Sequence, residues 1–222
     1  MHILLFGASG HVGAGLARLL SQHHTVTGIV RRRPETETAY EPVIVPDWVD
    51  EPEAVTSALA SADLPQVDAV IAAIGGWYID EPVLDRGLAK FDADYDSYLR
   101  GHFTACTISQ RLAESRSRAA AVTGNVAHLA LNGVASRQAL PGSGAISVFG
   151  AGQSMLIRVA AAEATTVDFR EMRIMAPVAG DGRNDLTGGV ETIALAEVAE
   201  AVESILLSPE RFDVCTEIGP QA

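Results

Sequence analysis

Several residue types are scarce in this chain of 222 residues, and their scarcity excludes whole classes of protein. Two cysteines, Cys106 and Cys215, are too few and too far apart for the disulfide framework of a small secreted domain, so both are expected to be free thiols. Sixteen basic residues stand against 28 acidic ones, which gives a formal net charge of −12. That charge repels phosphate backbones and anionic lipid surfaces, so neither nucleic acid nor a membrane is an expected partner.

Long apolar runs are also missing. The longest, such as Ala69–Ile74, span about six residues, whereas a helix that crosses a bilayer needs about 20. The apolar run Ile3–Phe6 passes directly into a glycine-rich loop, which is not the pattern of a signal peptide. With 48% hydrophobic residues, the chain can nevertheless bury a large core. We therefore expect a globular protein of the cytoplasm.

What is present is an alternation of strand-like and helix-like segments along the whole chain. Such alternation is typical of an α/β protein with a doubly wound, Rossmann-like parallel sheet of about seven strands and helices on both faces. No linker interrupts the order, so residues 1–222 are predicted to form a single domain. The predicted strands are Ile3–Phe6, Thr25–Val30, Pro42–Val45, Val67–Ile74, Ala119–Thr123, Glu171–Met175 and Asp213–Ile218.

A glycine-rich loop, Gly7-Ala-Ser-Gly-His-Val-Gly13, connects the first predicted strand to the first predicted helix. Glycines at such a turn let a pyrophosphate approach the backbone amides at the start of the helix, where the helix dipole favours an anion. The loop therefore predicts a dinucleotide-binding site. Glycines that only shape a turn are the alternative interpretation.

The residues after the second predicted strand indicate which dinucleotide binds. A site that prefers NAD places an acidic residue there to accept a hydrogen bond from the ribose 2′-hydroxyl. This chain has Arg31, Arg32 and Arg33 instead, and its next acid, Glu35, follows Pro34. Guanidinium groups bind phosphate through paired, charge-assisted hydrogen bonds, so the predicted cofactor is NADP(H), with Arg31 and Arg32 as its main ligands. A solvated basic turn is the alternative.

Several segments resemble the short-chain dehydrogenase/reductase superfamily, and the resemblance extends over essentially the whole chain. Asp47-Trp48 resembles the family's Asp-Val segment at the adenine, Val70–Gly75 its Asn-Asn-Ala-Gly strand end, Leu99–Phe103 its Asn-Leu-x-Gly-x-Phe helix, and Arg173–Pro177 the segment that closes over the nicotinamide. The glycine spacing is nearer to the extended and atypical subgroups than to the most common one. The loop, the arginines and the resemblance together assign these residues to the cofactor: Gly7, Ser9, Gly10, His11, Val12, Gly13, Arg31, Arg32, Asp47, Trp48, Ala73, Ile74, Gly75 and Pro177.

The catalytic residues of that family are missing from this chain. The resemblance implies a tyrosine that donates a proton, a lysine four residues later, a serine, and an asparagine on the long helix. The only lysine is Lys90, and Ile146 and Gly150 occupy the usual tyrosine and lysine positions. Tyr98 stands where the asparagine is expected. The family's standard proton transfer is therefore not available here.

Other polar residues are candidates for the chemistry. Asn125 and His128 follow the predicted fifth strand, where such a fold presents groups to a substrate, and Tyr98 lies on the long helix. A surface histidine and a core tyrosine are the alternative interpretations of His128 and Tyr98. Tyr78, after the fourth predicted strand, is the next candidate. No histidine groups with cysteines or acids at metal-ligand spacing, so no metal site is predicted.

Three functions fit this pattern. The first is an NADP(H)-dependent oxidoreductase that acts on a small organic carbonyl, alcohol or enone-type substrate with a relocated proton donor. The second is a non-redox enzyme on the same scaffold, such as a dehydratase, isomerase or cyclase, and the third is a binding protein that senses NADP. The helix with Phe103, Ile108 and Leu112 and the helix from Met155 to Ala162 resemble the family's interface pair, so a homodimer or homotetramer is expected.

Overall fold

The computed structural model describes residues 1–76, 78–118, 124–182 and 191–220. Within these residues, strands and α-helices alternate as the sequence predicts. In chain order the elements are β1 (His2–Phe6), α1 (His11–Leu20), β2 (Thr25–Val30), β3 (Glu41–Ile44), α2 (Pro52–Ser61), β4 (Ala69–Ala72), α3 (Gly87–Tyr95), α4 (Gly101–Arg118), β5 (Val126–Gly133), α5 (Ala145–Glu163), β6 (Val167–Ile174), α6 (Leu195–Leu207) and β7 (Cys215–Ile218).

The strands of the described chain form one parallel sheet in the order β3-β2-β1-β4-β5-β6-β7. The order reverses between β1 and β4, because the chain returns from β3 at one edge to the other side of β1. Loops that leave the carboxyl ends of two such strands diverge and leave a crevice between them. The predicted doubly wound, Rossmann-like sheet with helices on both faces is confirmed.

The core is divided into two layers by the sheet. Ile3 and Leu5 of β1 pack with α1 and α6 on one face, whereas Leu4 and Phe6 pack with α2, α4 and α5 on the other. All five residues of β1 are buried, as expected for a continuous apolar run in a strand that is covered on both sides. This burial holds the first glycine loop in place at the carboxyl edge of the sheet.

The fifth strand lies further along the chain than the sequence predicts. Residues 119–123, the predicted strand, lie outside the described residues, and β5 begins at Val126. Asn125 therefore precedes β5 at the amino edge of the sheet, and His128 lies within the strand. The prediction that both residues follow the fifth strand is wrong. A histidine in an apolar run suggested a loop, but this one is 1% exposed and its Nδ1 lies 2.7 Å from Ser109 Oγ, so its polarity is satisfied inside the core.

The long helix predicted from Asp94 to Ser115 is divided in the structure. α3 and α4 are joined by a π-helical turn, Asp96–Arg100, which carries Tyr98. Such turns break the regular helical register and often occur at functional sites. On α4, Phe103 is exposed but Ile108 is completely buried, so Ile108 cannot belong to an outward-facing interface as expected.

Helix α5 is long and apolar enough to cross a bilayer by length and composition alone. The core helix of a globular protein passes the same test, and α5 buries Phe149, Gln153 and Ile157 in this fold. Its outer side carries Met155 and Val159, which are exposed. Packing on the sheet thus explains the apolar residues of the inner side only.

Candidate functional site

A cleft of about 650 Å³ opens at the carboxyl edge of the sheet, where the strand order reverses. Its walls are the loops that follow β1, β2 and β4, together with the π-helical turn. Tyr98, a predicted catalytic residue, lines it, and so does Arg33. The cleft brings together these residues predicted to bind the cofactor: Gly7, Ser9, Gly10, Arg31, Arg32, Trp48, Ala73, Ile74 and Gly75.

The remaining predicted cofactor residues are not part of the cleft lining. His11 Nε2 donates a hydrogen bond to the carbonyl of Ala179 at 3.0 Å, which links the start of α1 to the segment after β6. The backbone carbonyl of Asp47 accepts from Asp50, and that of Pro177 accepts from Ile193. The residues outside the lining are His11, Val12, Gly13, Asp47 and Pro177.

The glycine loop has the shape that a pyrophosphate requires. Gly7 has a φ of 78°, and a Cβ there would clash with the backbone oxygen of Ala73. A Cβ on Gly13 would in turn clash with the oxygen of Gly7, so both glycines let the loop pack tightly against its neighbours. A Cβ on Gly10 would lie 3.3 Å from the oxygen of Gly7, and no side chain of the described residues caps the first amides of α1. The loop and the helix start therefore fit a bound pyrophosphate.

Three arginines without acidic partners lie beside this loop. Arg31, Arg32 and Arg33 follow β2 directly and are exposed. No salt bridge joins any of them to a carboxylate in the described part of the chain, although its net charge is strongly negative. A group of guanidinium ions at the edge of this cleft fits a phosphate group as a ligand.

An aromatic pair supports the floor of the cleft. Trp48 is 4% exposed, and its ring centroid lies 4.7 Å from that of Phe6 at the end of β1. The position of Trp48 after β3 is therefore set by core packing as well as by contact with the cleft. An apolar surface of this kind can hold the flat adenine ring.

Two buried residues of α5, Ile146 and Gly150, occupy the positions of the missing tyrosine and lysine. Ile146 is 9% exposed, and Gly150 is buried on the inner side of α5. Asn132 Nδ2 donates to the backbone oxygen of Gly150 at 2.9 Å. A Cβ on Gly150 would lie 3.1 Å from Ser136 Cβ and 3.2 Å from Asn132 Oδ1. Any side chain at residue 150 would therefore be in tight contact with Asn132 and Ser136.

A tyrosine from another loop reaches the start of α5. Tyr78, which lines the cleft, donates a hydrogen bond from its hydroxyl to Asp94 Oδ2 at 2.5 Å. Arg86 stacks over the Tyr78 ring at 4.3 Å and donates to the same Asp94 oxygen at 3.1 Å. A Cβ on Gly144, just before α5, would lie 2.7 Å from the Tyr78 hydroxyl. The Tyr78 hydroxyl therefore lies beside Gly144, and Gly144 is two residues before Ile146, the position of the missing tyrosine.

The environment of Tyr78 keeps its hydroxyl protonated. Burial is the main cause, and together with the hydrogen bond to Asp94 it raises the pKa of Tyr78 to about 12. Neither Asp94 nor Arg86 has a role that the sequence predicts, because acids at the start of a helix are usually solvated. Asp94 is 9% exposed, and no local pattern reveals that burial.

The other two predicted catalytic residues lie away from the cleft. His128 is packed between α4 and the sheet beside Cys106 and Ser109, and burial lowers its pKa to about 3. Asn125 Nδ2 donates to Asp168 Oδ1 at 3.1 Å at the amino edge of the sheet. The residue at the carboxyl end of β5 is Asn132, which the sequence analysis missed because it placed the strand too early.

Solved structures share this architecture over nearly the whole chain. A short-chain dehydrogenase/reductase family protein is 21% identical with a TM-score of 0.75, covering 99% of this chain and 95% of its own. A short-chain dehydrogenase from Burkholderia cenocepacia in complex with NADP is 19% identical with a TM-score of 0.74, covering 99% and 88%. A 4-hydroxyisoleucine dehydrogenase complexed with NADH is 16% identical with a TM-score of 0.75, covering 98% and 96%. The fold is therefore that of short-chain dehydrogenases and reductases.

Sequence comparison gives a narrower match. No family model matches the chain. Uncharacterized proteins of Mycobacterium tuberculosis and Mycobacterium bovis are 46% identical over 65 residues, which are 29% of this chain. The match covers 8% of those curated relatives, so they are much longer proteins.

Proposed function

We propose that this protein is an NADP(H)-dependent oxidoreductase that acts on a small organic carbonyl or alcohol. The observation that carries the proposal is the composition of one cleft, in which the glycine loop before α1 lies beside three arginines that form no salt bridge with a described residue. The resemblance to short-chain dehydrogenases and reductases over the whole chain supports the same cofactor chemistry.

In this proposal, different residues of the cleft would bind different parts of the cofactor. The bound cofactor would supply or accept the hydride. Backbone amides beyond Gly10 would hold the pyrophosphate, and Arg31 and Arg32 would hold the 2′-phosphate through charge-assisted hydrogen bonds of about 1.5–3 kcal/mol each. Ile74 and Gly75, at the end of β4, would form the wall nearest the reacting end of the cofactor.

Two phenols in the cleft are the proposed proton donors, Tyr98 and Tyr78. Since its pKa is raised to about 12, Tyr78 is protonated at neutral pH and is suited to donate a proton to an alkoxide, but it is a poor base. Reduction of a carbonyl is thus the favoured direction. An acid with a pKa far from the working pH is inefficient, so we expect slow turnover.

One observation favours a second candidate function, a protein that binds NADP(H) without turning it over. Asn132 and Ser136 fill the space beside Gly150 that a catalytic lysine would need, while the cofactor half of the cleft is intact. A protein that responds to NADP redox state needs the cofactor half of the cleft but does not need a catalytic lysine.

Calorimetric titration with NADPH and NADH, followed by NADPH consumption with a panel of aldehydes, ketones and enones, tests the proposal. Preferential NADPH binding with consumption in the presence of a carbonyl supports the oxidoreductase. Binding without consumption for any carbonyl supports the second candidate. Equal affinity for both cofactors, or binding of neither, contradicts the proposed cofactor site.

A further inference from the structure

A second cavity of about 500 Å³ lies between α5 and β7, the last strand of the sheet. It shares no lining residue with the cofactor cleft. Its lining includes three arginines from three different elements, namely Arg137 after β5, Arg158 on α5 and Arg173 on β6. We call it the arginine cavity.

A completely buried glutamate lies at the base of the arginine cavity. Glu171 of β6 is 0% exposed and faces α5, on the same side of the strand as Arg173. Its carboxylate accepts hydrogen bonds from Ser154 Oγ at 2.8 Å, Arg173 Nη2 at 3.3 Å, Cys215 Sγ at 3.1 Å and also from the Asn132 amide. Glu171 is therefore fully satisfied and balances the charge of Arg173.

The remaining charges of the arginine cavity do not balance. Glu217 Oε1 accepts from Arg137 Nη1 and from Arg173 Nη1, each at 2.6 Å. Arg158 has no carboxylate partner in the described chain, and its Nε donates only to Cys215 Sγ at 3.5 Å. Three arginines with two glutamates leave one positive charge, that of Arg158, in an otherwise strongly acidic protein.

A buried donor in the same cavity also lacks a partner. The Arg173 side chain is 6% exposed, and its Nε has no hydrogen-bond partner among the described residues. A buried N–H group without a partner costs about 1–3 kcal/mol, so native proteins rarely retain one without a ligand or water. Arg158 and Arg173 thus provide an unneutralised charge and an unused donor on facing elements of one cavity.

We propose that the arginine cavity binds a small oxyanion, a carboxylate or a phosphate group, through Arg158 and Arg173. A planar guanidinium group binds two oxygens of such an anion at once, and the terminal nitrogens of Arg158 have no carboxylate partner among the described residues. The inference does not depend on the proposed oxidoreductase function, because the two sites have no residue in common.

Cys215 provides a local measurement of binding, because it lines the cavity and is half-buried, whereas Cys106 is buried elsewhere. The rate of Cys215 alkylation by iodoacetamide is measured by peptide mass spectrometry, at constant ionic strength, with inorganic phosphate or malonate replacing chloride. At ten times the dissociation constant of the anion we expect roughly tenfold slower alkylation, since about one site in eleven is then empty. The anion that protects at the lower concentration identifies the preferred chemistry.

Variants separate the arginine cavity from the cofactor cleft. Arg158→Gln should remove the protection, which is measured within that variant by comparing alkylation with and without the anion. Arg118→Gln should keep the protection, because Arg118 is a 77% exposed arginine on α4. The pair Arg31→Ala/Arg32→Ala should also keep it, although phosphate binding at the cofactor cleft is weakened. Absence of protection by both phosphate and malonate relative to chloride, or protection that survives Arg158→Gln, overturns the proposal.

Discussion

Asn132 at the end of β5 donates a hydrogen bond to the backbone oxygen of Gly150 on α5, at 2.9 Å. This bond brings the strand end so close to the helix that a Cβ at residue 150 would be in tight contact with both Asn132 and Ser136. The residues around Gly150 are therefore packed for the absence of a side chain. Two substitutions at positions 146 and 150 would not rebuild the tyrosine and lysine of the related dehydrogenases.

Gly150→Lys is predicted to destabilise the protein without creating activity. Overpacking of a core costs about 1–3 kcal/mol, and burial of an unpaired charge adds to that cost. Ala151→Lys, at an exposed position one residue further on, is the matched control and should change stability little. Urea denaturation of both variants measures the difference, and equal stability would show that the space beside Gly150 can open.

Arg31→Ala/Arg32→Ala is predicted to weaken NADPH binding at least tenfold and to leave NADH binding nearly unchanged. The pair would lose charge-assisted hydrogen bonds to the 2′-phosphate, and about 1.4 kcal/mol corresponds to each factor of ten. Calorimetric titration of both cofactors provides the comparison, with Arg118→Ala as an arginine control on α4. A parallel loss of affinity for NADPH and NADH would mean that the arginines do not recognise the phosphate.

His128 is predicted to contribute to acid sensitivity and not to cofactor binding. Burial lowers the pKa of His128 to about 3 and that of His102 to about 4, both below the ordinary histidine value of 6.5. Stability from a group with a lowered folded-state pKa is complete above the unfolded-state pKa and is lost as the pH falls. Below pH 6.5, we expect each histidine to cost about 1.4 kcal/mol per pH unit until its folded-state pKa is reached.

Below pH 6.5, His128→Phe should therefore reduce the slope of unfolding free energy against pH by the contribution of one histidine, about 1.4 kcal/mol per pH unit. This expectation holds whatever the substitution does to stability at neutral pH. Urea denaturation at a series of pH values measures the slope. NADPH affinity should be unchanged. An unaltered slope, or a selective loss of NADPH affinity, would contradict the structural role.

Tyr78 is predicted to titrate late because it is partly buried and because Asp94 accepts a hydrogen bond from its hydroxyl. Its pKa of about 12 lies above the ordinary value of 10.0, so the stability it contributes is complete below pH 10 and is lost as the pH rises through 12. In a phenolate absorbance titration, Tyr78→Phe should lack the step at the highest pH. In Asp94→Asn, the Tyr78 step should remain but move to a lower pH. A Tyr78 step at an unchanged pH would exclude Asp94 as a cause of the raised pKa.

A homo-oligomer through α4 and α5 is predicted from the apolar side chains that these helices expose. Phe103 on α4 is 60% exposed and Val159 on α5 is 44% exposed, so an interface through both helices would bury apolar surface. Light scattering should give a multiple of the 23.3 kDa chain, and Val159→Glu should shift it to 23.3 kDa. Leu207→Glu is the control, because Leu207 is also a large apolar residue, is 58% exposed and lies on α6. A monomeric unmodified protein at micromolar concentration would contradict this prediction.

Local features of the chain could be predicted from the sequence because neighbouring residues alone produce them. The continuous apolar run of β1 and the glycine loop place a helix start beside a buried strand, and Arg31 and Arg32 directly follow a β-branched strand. Their meeting in one cleft follows from the topology, since parallel strands present all their carboxyl ends at one edge. The sheet and most of the residues that line the cleft were therefore accessible to sequence reasoning.

Contacts between distant segments were decided by the tertiary structure. His128 is accommodated in a core strand because Ser109, 19 residues away, satisfies its ring. The raised pKa of Tyr78 comes from burial and from Asp94, 16 residues away. Glu171 meets Cys215 across 44 residues. A polar side chain in an apolar run has the same sequence pattern whether it faces water or a partner in the core. Only packing supplies the partner, and with it the burial that moves each pKa and closes the space beside Gly150.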